Sequence, residues 1–407
     1  MAPTLRLPRG FDRDLKLILV AMFTRRIVMG FLGVVRAIYF SLIGLSPVAI
    51  GLLMTIGTAV GALEALFFGT LSDKYGRKPF LILGAIFSMM RLILYALSGD
   101  FWVLALAQGL GALGEGAGAG QPVVSGYIAD KTKAEDRSSI FSTLAITNAI
   151  SATMGSLMAS LPAYFQLNLG LNMVSSHTLL FWIGAALSFL ALVVLLPLKE
   201  AESRERVDDV VVLPEVSWRD IGRYSLVRST SGLAMGLVSP LLPLYFYLRF
   251  GIGSEDLAPV YALARFLPIF TYFFVPIFTK RFGDIRTLVA TRILTSIFLV
   301  AFAFAPTFQI SSALFITYRL LSQFSIPMRQ SFAAGIVKPS RTGAIIGISG
   351  FARSSIRSIA PTITGYLFQF ASLTTPLLFG SVLMGVNGLL YHAFYGVKEG
   401  GAERGST

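Results

Sequence analysis

Among the arginines that interrupt the apolar stretches of the chain, ten stand out as candidates: Arg25, Arg26, Arg36, Arg91, Arg228, Arg265, Arg292, Arg319, Arg353 and Arg357. Two acids, Glu64 and Glu115, stand against them in the same stretches. A guanidinium keeps its proton in a protein. An ion at the centre of a bilayer costs about 2.5–3.5 kcal/mol even on the lenient insertion scale. Two carboxylates cannot neutralise ten such groups, so the remainder must reach headgroups, water or an anion. The chemistry on offer is anion binding. Glu115 and Glu64 are the candidate proton carriers, since a carboxyl in apolar surroundings can cycle near neutral pH, although arginine neighbours oppose this.

The elements that must hold these groups are membrane spans. Of 407 residues 55% are hydrophobic and 14% charged, against roughly 25% charged in an average soluble domain. A soluble fold cannot hide that much apolar surface. Twelve stretches long enough to cross a bilayer can be marked, at about 17–43, 48–71, 79–98, 102–128, 139–165 and 178–197, then 222–248, 257–279, 287–305, 309–336, 342–370 and 376–396. The organisation expected is a bundle at 1–198, a polar linker at 199–220 and a second bundle at 221–407. The loops after the odd-numbered spans together hold one basic residue, Arg249, and the rest of the non-membrane Lys and Arg lie at the other side. The positive-inside rule then places both termini in the cytoplasm. The basic start (Arg6, Arg9, Arg13, Lys16) leads into a span with no small-residue cleavage site, so a retained first helix is expected.

Several function classes fall away. No cysteine is present, which excludes disulfides, thiolate metal sites and a cysteine nucleophile. His177 and His392 are too far apart in sequence to suggest a metal site or a triad. The net charge of +13 reflects loop sidedness rather than nucleic-acid binding. Gly109–Gly114 matches Gly-x-Gly-x-x-Gly but lies inside an apolar span, without the strand that a dinucleotide site needs. No cofactor and no metal are expected.

The halves repeat weakly. Tyr39-Phe40 near the end of span 1 matches Tyr245-Phe246 near the end of span 7, and Lys280–Arg286 echoes the charged turn at Gly69–Lys78. That turn reads Gly69-Thr70-Leu71-Ser72-Asp73-Lys74-Tyr75-Gly76-Arg77-Lys78. It meets every position of the signature between helices 2 and 3 of the major facilitator superfamily, and the chain resembles that family over its whole length. Tyr127–Asp130 resembles the family's segment closing helix 4.

The resemblance implies an all-α polytopic fold of twelve transmembrane helices in two pseudosymmetric six-helix bundles, and a secondary transporter rather than an enzyme. It implies a conformational latch of Gly69, Asp73, Gly76, Arg77 and Asp130, with Asp73 capping the helix that begins near Thr342 and Arg77 pairing with Asp130. It also implies that helices 3 and 9 are peripheral, so that Arg91 and Arg292 are structural or snorkelling residues. Arg25 and Arg36 are eleven residues apart, nearly on one helical face. Arg25 with Arg228 in the pseudosymmetric span suggests an anion clamp of the kind some organophosphate exchangers in the family use, one arginine from each helix. Arg353 and Arg357 lie one turn apart, Asn148 is the counterpart of Arg353, and Arg319 and Gln323 share a stripe. Gln108 is expected beside them in a wet, mainly positive cavity.

The expected function is transport of a small solute, an anion, at the plasma membrane, by exchange or proton coupling, in a monomer surrounded by lipid. The alternative is a proton-coupled exporter of drug-like amphiphiles. It is weakened by Ala105, where such exporters carry an arginine, and by the missing proline in Gly155–Ser160. A non-transporting sensor or lipid scramblase ranks third.

Overall fold

The computed structural model describes residues 12–116, 122–132, 134–200, 218–335 and 339–402. At some positions within these ranges, among them Glu64, Gly69, Asp73, Glu115 and the segment 330–348, the side chains lie outside the description. Sixteen helices are formed among the described residues. They are α1 Arg13–Leu42, α2 Pro47–Tyr75, α3 Arg77–Leu97, α4 Phe101–Gly116, α5 Pro122–Lys131, α6 Ala134–Met158, α7 Leu161–Leu169 and α8 Met173–Leu195. There follow α9 Trp218–Val238, α10 Leu242–Phe250, α11 Ser254–Phe266, α12 Pro268–Phe282, α13 Asp284–Ala303, α14 Phe308–Gly335, α15 Pro339–Phe370 and α16 Thr375–Ala402.

Among the described residues, each stretch marked in the sequence falls mainly on one helix or on two successive ones. Eight helical stretches among the described residues are long and apolar enough to cross a membrane, and Pro47–Leu63 and Phe101–Leu113 are shorter apolar helices. Three of the broken stretches restart on a proline, with Pro162, Pro243 and Pro268 in the first turn of α7, α10 and α12. A proline N–H is missing where a helix start has no partner for it anyway, so these residues favour a new helix over a continued one.

The chain divides into two compact units. Unit 1 comprises Met1–Gly44, Ile56–Asp209 and Ser254–Ala262; unit 2 comprises Leu45–Thr55, Val210–Gly253 and Leu263–Thr407. The packing pattern of one recurs in the other. In unit 1, α1 packs on α6 and α8, and α3 on α4 and α8; in unit 2, α9 packs on α15 and α16, and α13 on α14 and α16.

Lipid tails are as apolar as leucine, so helices in a bilayer associate through close packing rather than hydrophobic burial. Small residues accordingly sit at the crossings. A methyl group on Gly30 of α1 would lie 2.7 Å from Gly155 Cα and 2.8 Å from the Ala152 carbonyl on α6. At the corresponding crossing in unit 2, one on Gly236 of α9 would lie 2.7 Å from both the Arg357 carbonyl and Ala360 Cβ on α15.

The sequence repeats occupy matching places. Phe40 packs edge-on against Tyr95 of α3 at 5.5 Å, and Phe246 packs against Phe302 of α13 at 5.6 Å. Gly76 and Gly283 precede α3 and α13 with nearly the same backbone, φ 91° and ψ 154° against φ 82° and ψ 158°. A side chain is strained at such φ values, which is why glycine is kept in both turns.

Candidate functional site

Unit 2 gathers arginines at the crossing of α9 and α15. A methyl group on Gly232 would lie 2.8 Å from Arg353 Cγ, and one on Gly236 would lie 3.2 Å from Arg357 Cγ. The two glycines thus leave room for two arginine stems one turn apart. Arg228 donates to Ser349 Oγ at 3.2 Å and lies over the Tyr224 ring at 5.7 Å. Arg353 approaches Met235 Sδ at 4.0 Å, and its buried Nε has no hydrogen-bond partner among the described residues. Arg329 of α14 donates from Nε to the Ser325 carbonyl at 3.2 Å. Arg228 and Arg292 lie within its electrostatic reach, as do the Tyr224 and Tyr391 hydroxyls. Arg319 and Gln323, also on α14, are half-buried. Between 221 and 395 the acids are Glu255, Asp256 and Asp284 alone, each in the first turn of a helix. None lies in the interior of a span.

Unit 1 handles its arginines differently. Arg36 donates to Gln108 Oε1 at 3.1 Å, and the Tyr95 hydroxyl donates to the same oxygen at 2.8 Å. Gln108 is therefore a buried acceptor shared by α1 and α3, rather than a residue lining a wet cavity. Arg91 is fully buried and donates to Met29 Sδ at 3.4 Å. Its counterpart Arg292 is fully buried too. Of the two roles expected for them, structural or snorkelling, full burial fits the structural one: their helices pack on three neighbours in each unit. Arg25 is half-buried on α1 in unit 1, whereas Arg228 belongs to unit 2. Asn148 of α6 buries an Oδ1 with no hydrogen-bond partner among the described residues. The side chains of Glu64 and Glu115 lie outside the description.

The charged turn is built from both neighbours and distant residues. Arg77 Nε donates to Asp130 Oδ2 at 2.6 Å, with 8% and 19% of the two side chains exposed. The Arg77 guanidinium occupies the space beside Gly126 that a methyl group there would fill. Glu200 caps the start of α3, accepting from Arg77 N at 2.7 Å and from Lys78 N at 3.1 Å. Nearby, Lys131 pairs with Asp14 at 2.9 Å, and the Tyr127 hydroxyl donates to the Lys199 carbonyl at 2.6 Å. The apolar cluster of Leu15, Leu81, Tyr127, Ile140 and Leu198 holds these helices together. The proposed contact of Asp73 with the start of α15 involves side chains outside the description.

A family model described as Major Facilitator Superfamily matches residues 17–361. The chain belongs to the major facilitator superfamily. A major facilitator protein is a transporter embedded in the membrane, not an enzyme, and the all-α architecture is that of the superfamily. Among curated relatives, the quinolone resistance protein NorA of Staphylococcus aureus strain MRSA252 is 25% identical over 358 residues, covering 83% of this chain and 87% of NorA. Among solved structures, a mutant of the nucleoside transporter NupG superposes with a TM-score of 0.76 at 13% identity, covering 94% of this chain and 100% of that one. The human organic anion transporter MFSD10 superposes with a TM-score of 0.59 at 15% identity, with 94% and 100% covered.

Two residues important to this major facilitator protein escaped the sequence reading. Arg329 sits in an apolar span with Pro327 close by, and an arginine in such a span is itself the signal. Glu200 gave no local signal, because its partners lie 123 and 122 residues away.

Proposed function

We propose that the protein is a secondary active transporter that moves a small organic or inorganic anion across the plasma membrane by alternating access. Both termini face the cytoplasm, and coupling is by exchange or by proton symport. One observation carries the reading. Arg228, Arg329, Arg353 and Arg357 gather in unit 2, and no carboxylate is encoded within the C-terminal spans to neutralise them. Arginine cannot discharge itself by losing a proton. The cargo is then the neutralising charge, and a loaded carrier has less uncompensated charge to carry through the bilayer than an empty one. That favours exchange over net flux. Arg319 and Gln323 add donors in unit 2, and Arg25, Arg36 and Asn148 are the contributors proposed from unit 1.

The test is anion counterflow in proteoliposomes, with inorganic phosphate, phosphate monoesters and carboxylates as cargo. A hydrogen bond to a charged group contributes about 1.5–3 kcal/mol. Arg353→Ala and Arg228→Ala should therefore each weaken the apparent affinity by about 10- to 100-fold. Full-rate counterflow in both variants sinks the proposal.

The likeness to NorA supports a second reading, proton-coupled export of amphiphiles. Glu115 would then carry the proton, with Glu64 as the alternative. An imposed pH gradient should drive dye transport, and Glu115→Gln should abolish it. Dye flux indifferent to the gradient removes this reading.

A further inference from the structure

Arg292 lies outside the arginine cluster assigned to cargo and poses a separate problem. It is fully buried between α13, α14 and α16. NH1 donates to Met384 Sδ at 3.2 Å, while Nε and NH2 have no hydrogen-bond partner among the described residues. A thioether sulfur is a weak acceptor and carries no charge. Among the described residues, the charged groups within electrostatic reach are Arg353 and Arg329, both positive, and the neutral hydroxyls there are Tyr318 and Tyr391. Asn387, fully buried one helical position before Gly388, gives its Nδ2 to the Val227 carbonyl at 2.7 Å. Its neighbour Gly388 lets the Arg292 stem approach α16, since a methyl group there would lie 3.1 Å from Arg292 Cβ.

Breaking a buried ion pair by removing one partner is costly because it strands a charge. Here the spans of this half encode no interior acid to serve as a partner. A water molecule can satisfy hydrogen bonds but leaves the charge uncompensated. From the two unpartnered guanidinium nitrogens, the sulfur beside them and the like charges around, we infer that unit 2 holds a resident halide-sized anion at Arg292, a structural counter-ion distinct from the cargo. Its ligands are Arg292 Nε and NH2, with the Tyr318 hydroxyl available as a further donor.

Thermal unfolding of the purified full-length protein in nanodiscs tests this, with sodium gluconate exchanged for sodium chloride or bromide at constant ionic strength. A ligand bound only by the native state raises the midpoint saturably. A rise of at least about 2 °C is expected for the wild type. Arg292→Met should abolish the halide dependence while keeping anion counterflow. Arg353→Ala should keep the halide dependence while its apparent affinity for the counterflow cargo falls about 10- to 100-fold. A flat wild-type response overturns the inference, as does halide dependence that survives Arg292→Met. Should that variant fail to fold, crystals of the wild type soaked in bromide give a second readout. An anomalous peak beside Arg292 supports the site, and its absence there overturns it. The cargo reading falls on full-rate counterflow in both Arg353→Ala and Arg228→Ala, which is independent of the halide response, so the two failures are distinguishable.

Discussion

At the scale of single residues, the fate of each charge is set by what its side chain can touch. Arg77 and Asp130 meet at 2.6 Å with little exposure, so truncating either strands the other. Arg77→Ala or Asp130→Ala should lower stability by about 3 kcal/mol. A double-mutant cycle read by chemical or thermal unfolding should return a coupling of at least about 1 kcal/mol. Additive single losses would show that the contact is incidental. Arg249 makes the other instructive case, as the one basic residue in loops otherwise free of them. It donates to the carbonyls of Ala303 at 2.5 Å and Ala305 at 2.9 Å, and to the Tyr245 hydroxyl at 2.6 Å. It closes the C-terminus of α13, where a cation meets the negative end of the helix dipole. Arg249→Ala should cost about 1–3 kcal/mol, the penalty for leaving buried acceptors unsatisfied, and Arg249→Lys should recover part of it.

At the scale of elements, helix starts and crossings decide what can be positioned. Glu200 reaches α3 from beyond the last span of the N-terminal half and satisfies its first backbone N–H groups. Removing a cap costs about 0.5–2 kcal/mol, so Glu200→Ala should lower the unfolding midpoint modestly. Gly76→Ala should cost more. It places a side chain at φ +91° and a methyl group 3.0 Å from the Glu200 carboxylate. The combined variant should lose less than the sum, because Glu200→Ala removes the clash. A strictly additive result would remove the link between turn and linker. The α9–α15 crossing is the other determining element, since Gly232 and Gly236 make room for the stems of Arg353 and Arg357. Gly232→Leu should therefore impair anion counterflow with the arginines themselves unchanged.

At the scale of the whole molecule, two repeated units treat the same kind of residue in different ways. In both, a buried arginine donates to a methionine sulfur, Arg91 to Met29 and Arg292 to Met384, but unit 1 also ties Arg36 to Gln108, an acceptor shared with Tyr95. Unit 2 leaves its guanidinium groups near one another and near tyrosines. Self-repulsion of that kind is relieved by an anion and screened by salt. Anion exchange should accordingly depend on ionic strength. Apart from the ionisation of the cargo itself, it should change little between pH 6 and pH 8, because arginine does not titrate there. A steep pH dependence with a fully ionised cargo would instead assign the limiting step to Glu115 or Glu64.

Taken alone, the sequence determined the membrane class, the superfamily and the repeat. Apolar length, loop charge and the Gly69–Lys78 signature are local properties of the chain. The positions of Gly76 and Gly283 also announced the two equivalent turns. Tertiary structure decided the partners. Gln108 proved to be a shared buried acceptor, Arg91 and Arg292 proved to be fully enclosed, and Glu200 reached across more than a hundred residues to cap α3. Period and composition say which face of a helix is polar. They do not say which other helix that face meets, and for a charge that cannot be discarded the meeting partner sets its role.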